Sequence, residues 1–128
     1  MNLIPGLYHS LLDDKYRFNI PLRAVIDSLP TQMSFGIHRI NTNDVIVLYP
    51  STLLDFVDYD FVHLHDVQIK QATPSIAMPN RVHIPFSARP GFKIKTRIFY
   101  VARRNYFEIY QDHKALLVVH PQYRALVM

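Results

Sequence analysis

Hydrophobic and polar residues follow one pattern in two stretches of this chain. At residues 17–24 and 81–88 the order is Arg, an apolar residue, any residue, Ile, Pro, an apolar residue, any residue, Ala. The alternation before each Pro has the two-residue period of a β-strand, and Pro ends the strand because it donates no ladder hydrogen bond. Each copy therefore predicts a turn, a short strand and a stop, so we expect two related units.

The residues after each Pro predict a helix, longer in the first copy than in the second. Pro suits the first position of a helix, and apolar residues at helical spacing fall on one face of residues 22–29. In the second copy Pro90 and Gly91 follow so closely that only about one helical turn fits.

Other alternating or apolar stretches predict further strands, mostly paired as hairpins. We expect the first hairpin between residues 7–12 and 18–20, around a turn at residues 13–17. The remaining predicted strands are residues 33–38 with 44–49, residues 97–102 with 106–110, and residues 59–69. Short helices are predicted over residues 51–57 and, from an Asp112 N-cap, over residues 112–119, where a strand is the alternative.

These elements predict an α+β fold that is mostly β. A chain of 128 residues with 49% apolar residues is ample for a packed core. Two copies are too few for a solenoid, so we expect them to pack on each other about a pseudo-two-fold axis as one domain. We place the first unit at residues 1–58 and the second at residues 59–128.

Composition argues against several classes of protein. The chain has no Cys, which removes disulfides, zinc-thiolate sites and thiol nucleophiles, and its three Gly form no phosphate-binding loop. The N-terminus lacks the features of a signal peptide, and the longest apolar run, residues 115–119, is too short to span a bilayer. We expect a cytoplasmic protein that is not embedded in a membrane.

Charge divides unevenly along the chain. The overall formal charge is +4, yet residues 1–69 carry a net −4 and residues 70–128 a net +8. Six cations and no acid occur between Arg89 and Arg104, which is the pattern of a surface that meets phosphate. A solvated face, or a head-to-tail contact with the acidic half of a neighbouring subunit, explains the same residues.

Asp13 and Arg17 form the first candidate binding site. A hydrogen bond to Asp13 would hold the Arg17 guanidinium ready for a phosphate or for the O6 and N7 edge of guanine. Lys15 is a candidate phosphate contact, and Tyr16 a candidate for stacking on a sugar or a base. The alternative is an Asp–Arg pair that only closes the turn.

The second copy offers weaker candidates. Arg81 and Asn80 occupy the places of Arg17 and Tyr16, but Ala77 stands where the first copy has Asp13. Further cations are possible phosphate contacts, although solvent exposure or a subunit contact explains them equally well. They are Arg23, Arg89, Lys93 and Lys95.

Metal binding and catalysis find little support. His63 and His65 share one strand face beside Asp66, but two imidazoles without a third ligand are weak evidence for a metal. Asp13 and Asp14 are adjacent on a tight turn and need not face one pocket, and no Ser-His-Asp spacing occurs. We therefore expect neither an enzyme nor a cofactor.

These motifs resemble those of the MraZ family, bacterial transcriptional regulators built from two swapped-hairpin units that are also found in AbrB-type DNA-binding proteins. The family signature is a Gly seven residues before an Asp-x-x-x-Arg turn, followed by an apolar-x-Ile-Pro strand end. In this chain the signature falls on Gly6, Asp13, Lys15, Arg17, Phe18, Ile20 and Pro21, with Leu48, Tyr49 and Pro50 as a Tyr-Pro strand end. The second unit is similar through Arg81, Ile84, Pro85 and residues 107–110.

The resemblance implies a nucleoid-associated regulator that binds double-stranded DNA at repeated promoter sites of cell-division and cell-wall genes. It also implies a homo-oligomer, possibly a ring, in which repeated turns raise avidity. Family turns carry Gly where this chain has Tyr16 and Asn80, and Tyr disfavours the left-handed backbone that Gly allows. Residues 51–75 are shorter than the family connector. The missing Gly, together with Ala77 in place of Asp, favours an alternative, a protein-interaction or antitoxin-like module that keeps the fold without sequence-specific DNA binding.

Overall fold

The computed structural model describes residues 3–25, 32–40, 43–50, 61–68 and 80–127 of the chain. Its strands are β1 (Gly6–Leu11), β2 (Arg17–Ile20), β3 (Gln32–Ile40), β4 (Asn43–Pro50), β5 (Phe61–Gln68), β6 (Asn80–His83), β7 (Arg97–Ala102) and β8 (Phe107–Tyr110). Its α-helices are α1 (His113–Val119) and α2 (Arg124–Val127), and single 3-10 turns occur at Leu22–Ala24, Phe86–Ala88 and Pro121–Tyr123. The prediction of a mostly β protein is confirmed.

Six strands form one antiparallel sheet in the order β1-β7-β8-β4-β3-β5, which mixes strands from both halves of the chain. The predicted hairpins β3–β4 and β7–β8 are confirmed, with Tyr100 opposite Ile109 in the second. The division of the chain at residue 58 stays a prediction, because residues 51–60 lie outside the described ranges.

Strands β2 and β6 pair with each other and form a separate two-stranded antiparallel ribbon. This corrects the predicted first hairpin, because β1 pairs with β7 and does not pair with β2. On the edge of β2 away from β6, side chains accept the backbone hydrogen bonds that a β1–β2 ladder would accept. The Arg17 amide donates to Asp13 Oδ1 at 2.8 Å, and the Asn19 amide donates to Ser10 Oγ at 3.1 Å. The chain turns where predicted, but its two strands find partners far away in the sequence.

The structure agrees with some of the predicted helices and differs from others. The helix predicted from residue 22 begins as a 3-10 turn, and Val25 then bridges to Leu3 as a strand would; residues 26–29 lie outside the described ranges. The single turn predicted after Pro85 is confirmed. Helix α1 is confirmed, and its Asp112 cap accepts the Ala115 amide at 2.8 Å. The helix predicted over residues 51–57 also lies outside the described ranges.

Strand β7 is buried on both faces of the sheet, which explains its continuous apolar run. Ile98, Tyr100 and Ala102 join the core that lies between the sheet and the ribbon. Phe99 and Val101 join the core on the other face, beneath helix α1. The molecule therefore has three layers in the order ribbon, sheet, helices.

Candidate nucleic-acid interface

The 13–17 turn is held closed by the Asp13 carboxylate. Asp13 Oδ1 accepts the amides of Lys15 and Arg17 at 2.9 and 2.8 Å, and Asp13 Oδ2 accepts Arg17 Nε at 2.7 Å. Burial alone would raise the pKa of Asp13, but the hydrogen bonds from Arg17 and Lys15 outweigh it and lower the pKa below its usual value. The predicted Asp13–Arg17 pair is confirmed. It occupies the Nε edge of the Arg17 guanidinium, and the neighbouring Lys15 is exposed.

Tyr16 has a left-handed backbone with φ of 58°, contrary to the expectation that Tyr would disfavour that conformation. A non-Gly residue there costs about 1–2 kcal/mol, so other contacts must offset the strain. The Tyr16 ring packs on the core between ribbon and sheet, and the guanidinium of Arg89 lies over it, 4.7 Å from the ring centroid. One face of the ring is thus covered.

Arg89 is itself fixed in place. Its Nε donates to the carbonyl of Ile84 at 3.1 Å, and its terminal nitrogen donates to His83 Nε2 at 3.2 Å. Because an arginine only donates, Nε2 of His83 is the acceptor in this contact. Arg89 therefore connects the 13–17 turn to the end of β6.

A second cationic turn, residues 93–96, lies beside the first. Leu12, which precedes Asp13, exchanges backbone hydrogen bonds with it: the Lys95 amide donates to the Leu12 carbonyl, and the Leu12 amide donates to the Thr96 carbonyl at 2.9 Å. Lys93 and Lys95 are exposed, and Lys95 has a left-handed backbone with φ of 62°. The turn that carries Lys93 and Lys95 therefore adjoins, through Leu12, the turn that carries Lys15.

The outward face of the ribbon carries four polar side chains. Opposite residues of an antiparallel pair point to the same face, and Arg17 pairs with His83 while Asn19 pairs with Arg81. Phe18, Ile20, Val82 and Ile84 are the buried residues of the same strands. We define the ribbon face as Arg17, Asn19, Arg81 and His83.

Asn19 and His83 were not predicted as site residues, although the repeated frame indicates their position. Each occupies the unspecified position between the apolar residue and Ile of the repeated frame. The two-residue period of a strand places that position on the same face as the Arg of the frame. Both side chains are exposed, and the carbonyl of Asn19 accepts the Tyr100 hydroxyl at 2.9 Å, which fastens the ribbon to the sheet.

The other predicted site residues fall in different places. Arg81 is exposed on the ribbon face, and among the described residues no hydrogen bond or ion pair holds its side chain. Arg23 lies over the Tyr8 ring, 5.5 Å from its centroid, beyond the opposite end of β2, so it is not part of the cluster around the turns. Asn80 begins β6, but its side chain is not described, and Ala77 lies outside the described ranges.

A buried polar cluster on the far side of the sheet was not predicted. Glu108 is fully buried; its Oε1 accepts His120 Nε2 at 2.8 Å and the Tyr110 hydroxyl at 3.2 Å, and its Oε2 accepts Arg103 Nε at 3.2 Å. Burial and the Glu108 carboxylate both raise the pKa of Tyr110. Burial would lower the pKa of Arg103, but the Glu108 carboxylate outweighs it and the pKa rises. The cluster fastens the segment after α1 to β8.

Within the described residues, no group of three or more His, Asp or Glu side chains is placed to hold a metal ion. The backbone of β5 is described, but not the side chains of His63, His65 and Asp66. No helix in the described ranges has the length and apolar character needed to cross a membrane.

No family model matches the chain, and no curated protein matches it. The case for function therefore depends on the geometry of the ribbon face and the two turns beside it.

Proposed function

We propose that this chain is a DNA-binding transcriptional regulator that contacts duplex DNA through the ribbon face and the two adjoining turns. The observation that carries the proposal is the segregation of residues on the ribbon. Its inward side chains are buried and apolar, whereas Arg17, Asn19, Arg81 and His83 project outward without any acidic residue among them.

A two-stranded antiparallel ribbon is one of the two elements that fit the major groove of B-DNA. The ribbon face carries the side chains best suited to reading base edges there. Arg pairs with O6 and N7 of guanine, and Asn pairs with N6 and N7 of adenine. Arg81 and Asn19 lie directly opposite each other, so both would reach neighbouring bases.

The cations around the turns would supply the phosphate contacts that position the ribbon. Lys15, Lys93 and Lys95 are exposed on the paired turns. Of the two acidic residues in the first turn, Asp13 is in an ion pair with Arg17, and Asp14 is exposed. Such contacts add affinity that is independent of sequence and sensitive to salt.

We further propose that the two units are swapped hairpins of the MraZ and AbrB kind. The pairing of β2 with β6 supports this, since Phe18 lies opposite Val82, its counterpart in the repeated frame. Assembly of several chains would repeat the ribbon face and raise avidity for repeated sites on nucleoid DNA. Catalysis and cofactors have no part in this proposal.

The test is binding to duplex fragments, including the region upstream of the coding sequence, across a salt series. Arg81→Ala is the informative variant because no described contact makes Arg81 structural, and Arg124→Ala on α2 is the matched control, an exposed Arg elsewhere. We expect Arg81→Ala to weaken binding by about 5- to 100-fold, the value of one base or phosphate contact, and Arg124→Ala to leave it unchanged.

A native chain that binds all fragments weakly, with both variants equal to it, would contradict the proposal. That result would favour the alternative of a protein-interaction or antitoxin-like module. Arg17→Ala belongs in the series only with a check of its unfolding free energy, because Arg17 also closes the turn through Asp13.

A further inference from the structure

Phe86 is the most exposed of the large hydrophobic residues in the described ranges, with 83% of its surface open to solvent. It opens the single 3-10 turn Phe86–Ala88, while Ile84, Pro85 and Ala88 around it are buried. Burying a Phe side chain contributes about 1.5–3 kcal/mol, so this position forgoes a substantial gain in stability. A ligand that covered the ring would recover that gain.

One cation, Arg89, lies against the Phe86 ring. The Arg89 guanidinium lies 5.6 Å from its centroid, and the same guanidinium contacts His83 of the ribbon face at 3.2 Å. Phe86 is therefore next to the surface proposed to meet DNA. A ligand for the ring must combine a flat apolar face with negative charge nearby.

A nucleobase on its phosphate backbone has that combination. We propose that Phe86 stacks on the exposed face of a nucleobase, so that the site takes DNA in which at least one base is unstacked. Stacking on aromatic side chains tolerates any sequence, and apolar side chains also wedge between the base pairs of flexible steps. This inference rests on the proposed function and specifies the form of DNA that the site binds.

Tyr16 does not serve the same purpose. Its ring packs against the core and Arg89 covers one of its faces. The Arg89 guanidinium lies over both rings, so it links the partly buried Tyr16 to the exposed Phe86.

The chain has no Trp, so Phe86→Trp provides a single tryptophan, whose fluorescence can be excited apart from that of the eight Tyr. The DNA probes are an intact duplex, the same duplex with one unpaired base, and the corresponding single strand. We expect the fluorescence of Phe86→Trp to be quenched by the duplex with the unpaired base, the single strand, or both. Leu126→Trp, at a residue that is 72% exposed on α2, is the control and should not be quenched.

Affinity measurements on the same probes complete the test. We expect Phe86→Ala to weaken binding to the probes with an accessible base by about 10-fold without changing the salt slope, because no charge is removed. Phe86→Leu should behave like Phe86→Ala, since Leu retains an apolar side chain but not a ring. Unchanged unfolding midpoints for both variants would exclude a folding defect.

The outcomes separate this inference from the proposed function. Quenching by the single strand alone would assign the base to single-stranded DNA, and quenching by both probes would assign it to any exposed base; either result supports the inference. Native binding to DNA with no quenching and full affinity in Phe86→Ala would overturn the inference and leave the proposed function intact. If Phe86→Leu kept full affinity while Phe86→Ala lost it, stacking by the ring would be overturned. If the native chain bound none of the probes, both the inference and the proposed function would be overturned.

Discussion

The guanidinium of Arg89 lies over the ring of Tyr16, 4.7 Å from the ring centroid. Tyr16 occupies the left-handed position of the 13–17 turn, and Arg89 follows the 3-10 turn Phe86–Ala88. This contact ties a strained turn in the first half of the chain to the second half. The same guanidinium group lies beside the ribbon face, where it contacts His83 at 3.2 Å.

The first prediction is that Arg89 and Tyr16 are energetically coupled. We expect a double-mutant cycle of Arg89→Ala and Tyr16→Ala, followed by urea unfolding, to give a coupling of about 0.5–1 kcal/mol. The hydrogen bond from Arg89 to the Ile84 carbonyl is lost in both arms of the cycle and cancels. Additive losses would show that the ring contact contributes nothing.

The second prediction concerns acid sensitivity of the 13–17 turn. The pKa of Asp13 is lower in the folded chain than its usual value of about 3.9, so its stabilising contribution is present above that pH and is lost as the pH falls through the folded value. We expect Asp13→Asn to lower the unfolding free energy by no more than about 1 kcal/mol near pH 7, since the pair is partly exposed. Below about pH 4 the difference from the native chain should shrink.

The matched control for that measurement is Asp14→Asn. It removes a neighbouring carboxylate without touching the hydrogen bonds that Asp13 makes to Arg17 and Lys15. If the two variants showed the same dependence on pH, the depressed pKa of Asp13 would not be the cause.

The third prediction concerns the buried Glu108. We expect Glu108→Ala to lower the unfolding free energy by about 3 kcal/mol, because it leaves His120 and the Tyr110 hydroxyl buried without their acceptor. Glu108→Gln retains one acceptor oxygen and should cost about half as much. Urea unfolding measures both, and a loss under about 1 kcal/mol for Glu108→Ala would mean that the cluster is not structural.

The sequence predicted those features that depend on near neighbours. The Asp13–Arg17 pair, the Asp112 cap and the β7–β8 hairpin each involve residues a few positions apart, where turn chemistry and strand period suffice. The same period would have placed Asn19 beside Arg17 on one face, had it been applied to the repeated frame.

Features that join distant residues escaped prediction. Strand β2 pairs with β6 and not with β1. On the other edge of β2, the side chains of Asp13 and Ser10 accept the hydrogen bonds of the Arg17 and Asn19 amides. The contact between Arg89 and Tyr16 likewise requires the folded arrangement of both halves. Local patterns carry no information on such pairings, because long-range register is set by packing of the buried faces.

The most direct test of the central claim uses the absence of Cys from the chain. A single thiol introduced by Asn19→Cys reports on the ribbon face, and one introduced by Ala125→Cys reports on the exposed surface of α2. The measurement is the rate of reaction of each thiol with a soluble reagent, with and without saturating duplex DNA. We predict that DNA slows the reaction of Asn19→Cys and leaves that of Ala125→Cys unchanged; equal rates with and without DNA at Asn19→Cys would contradict the account.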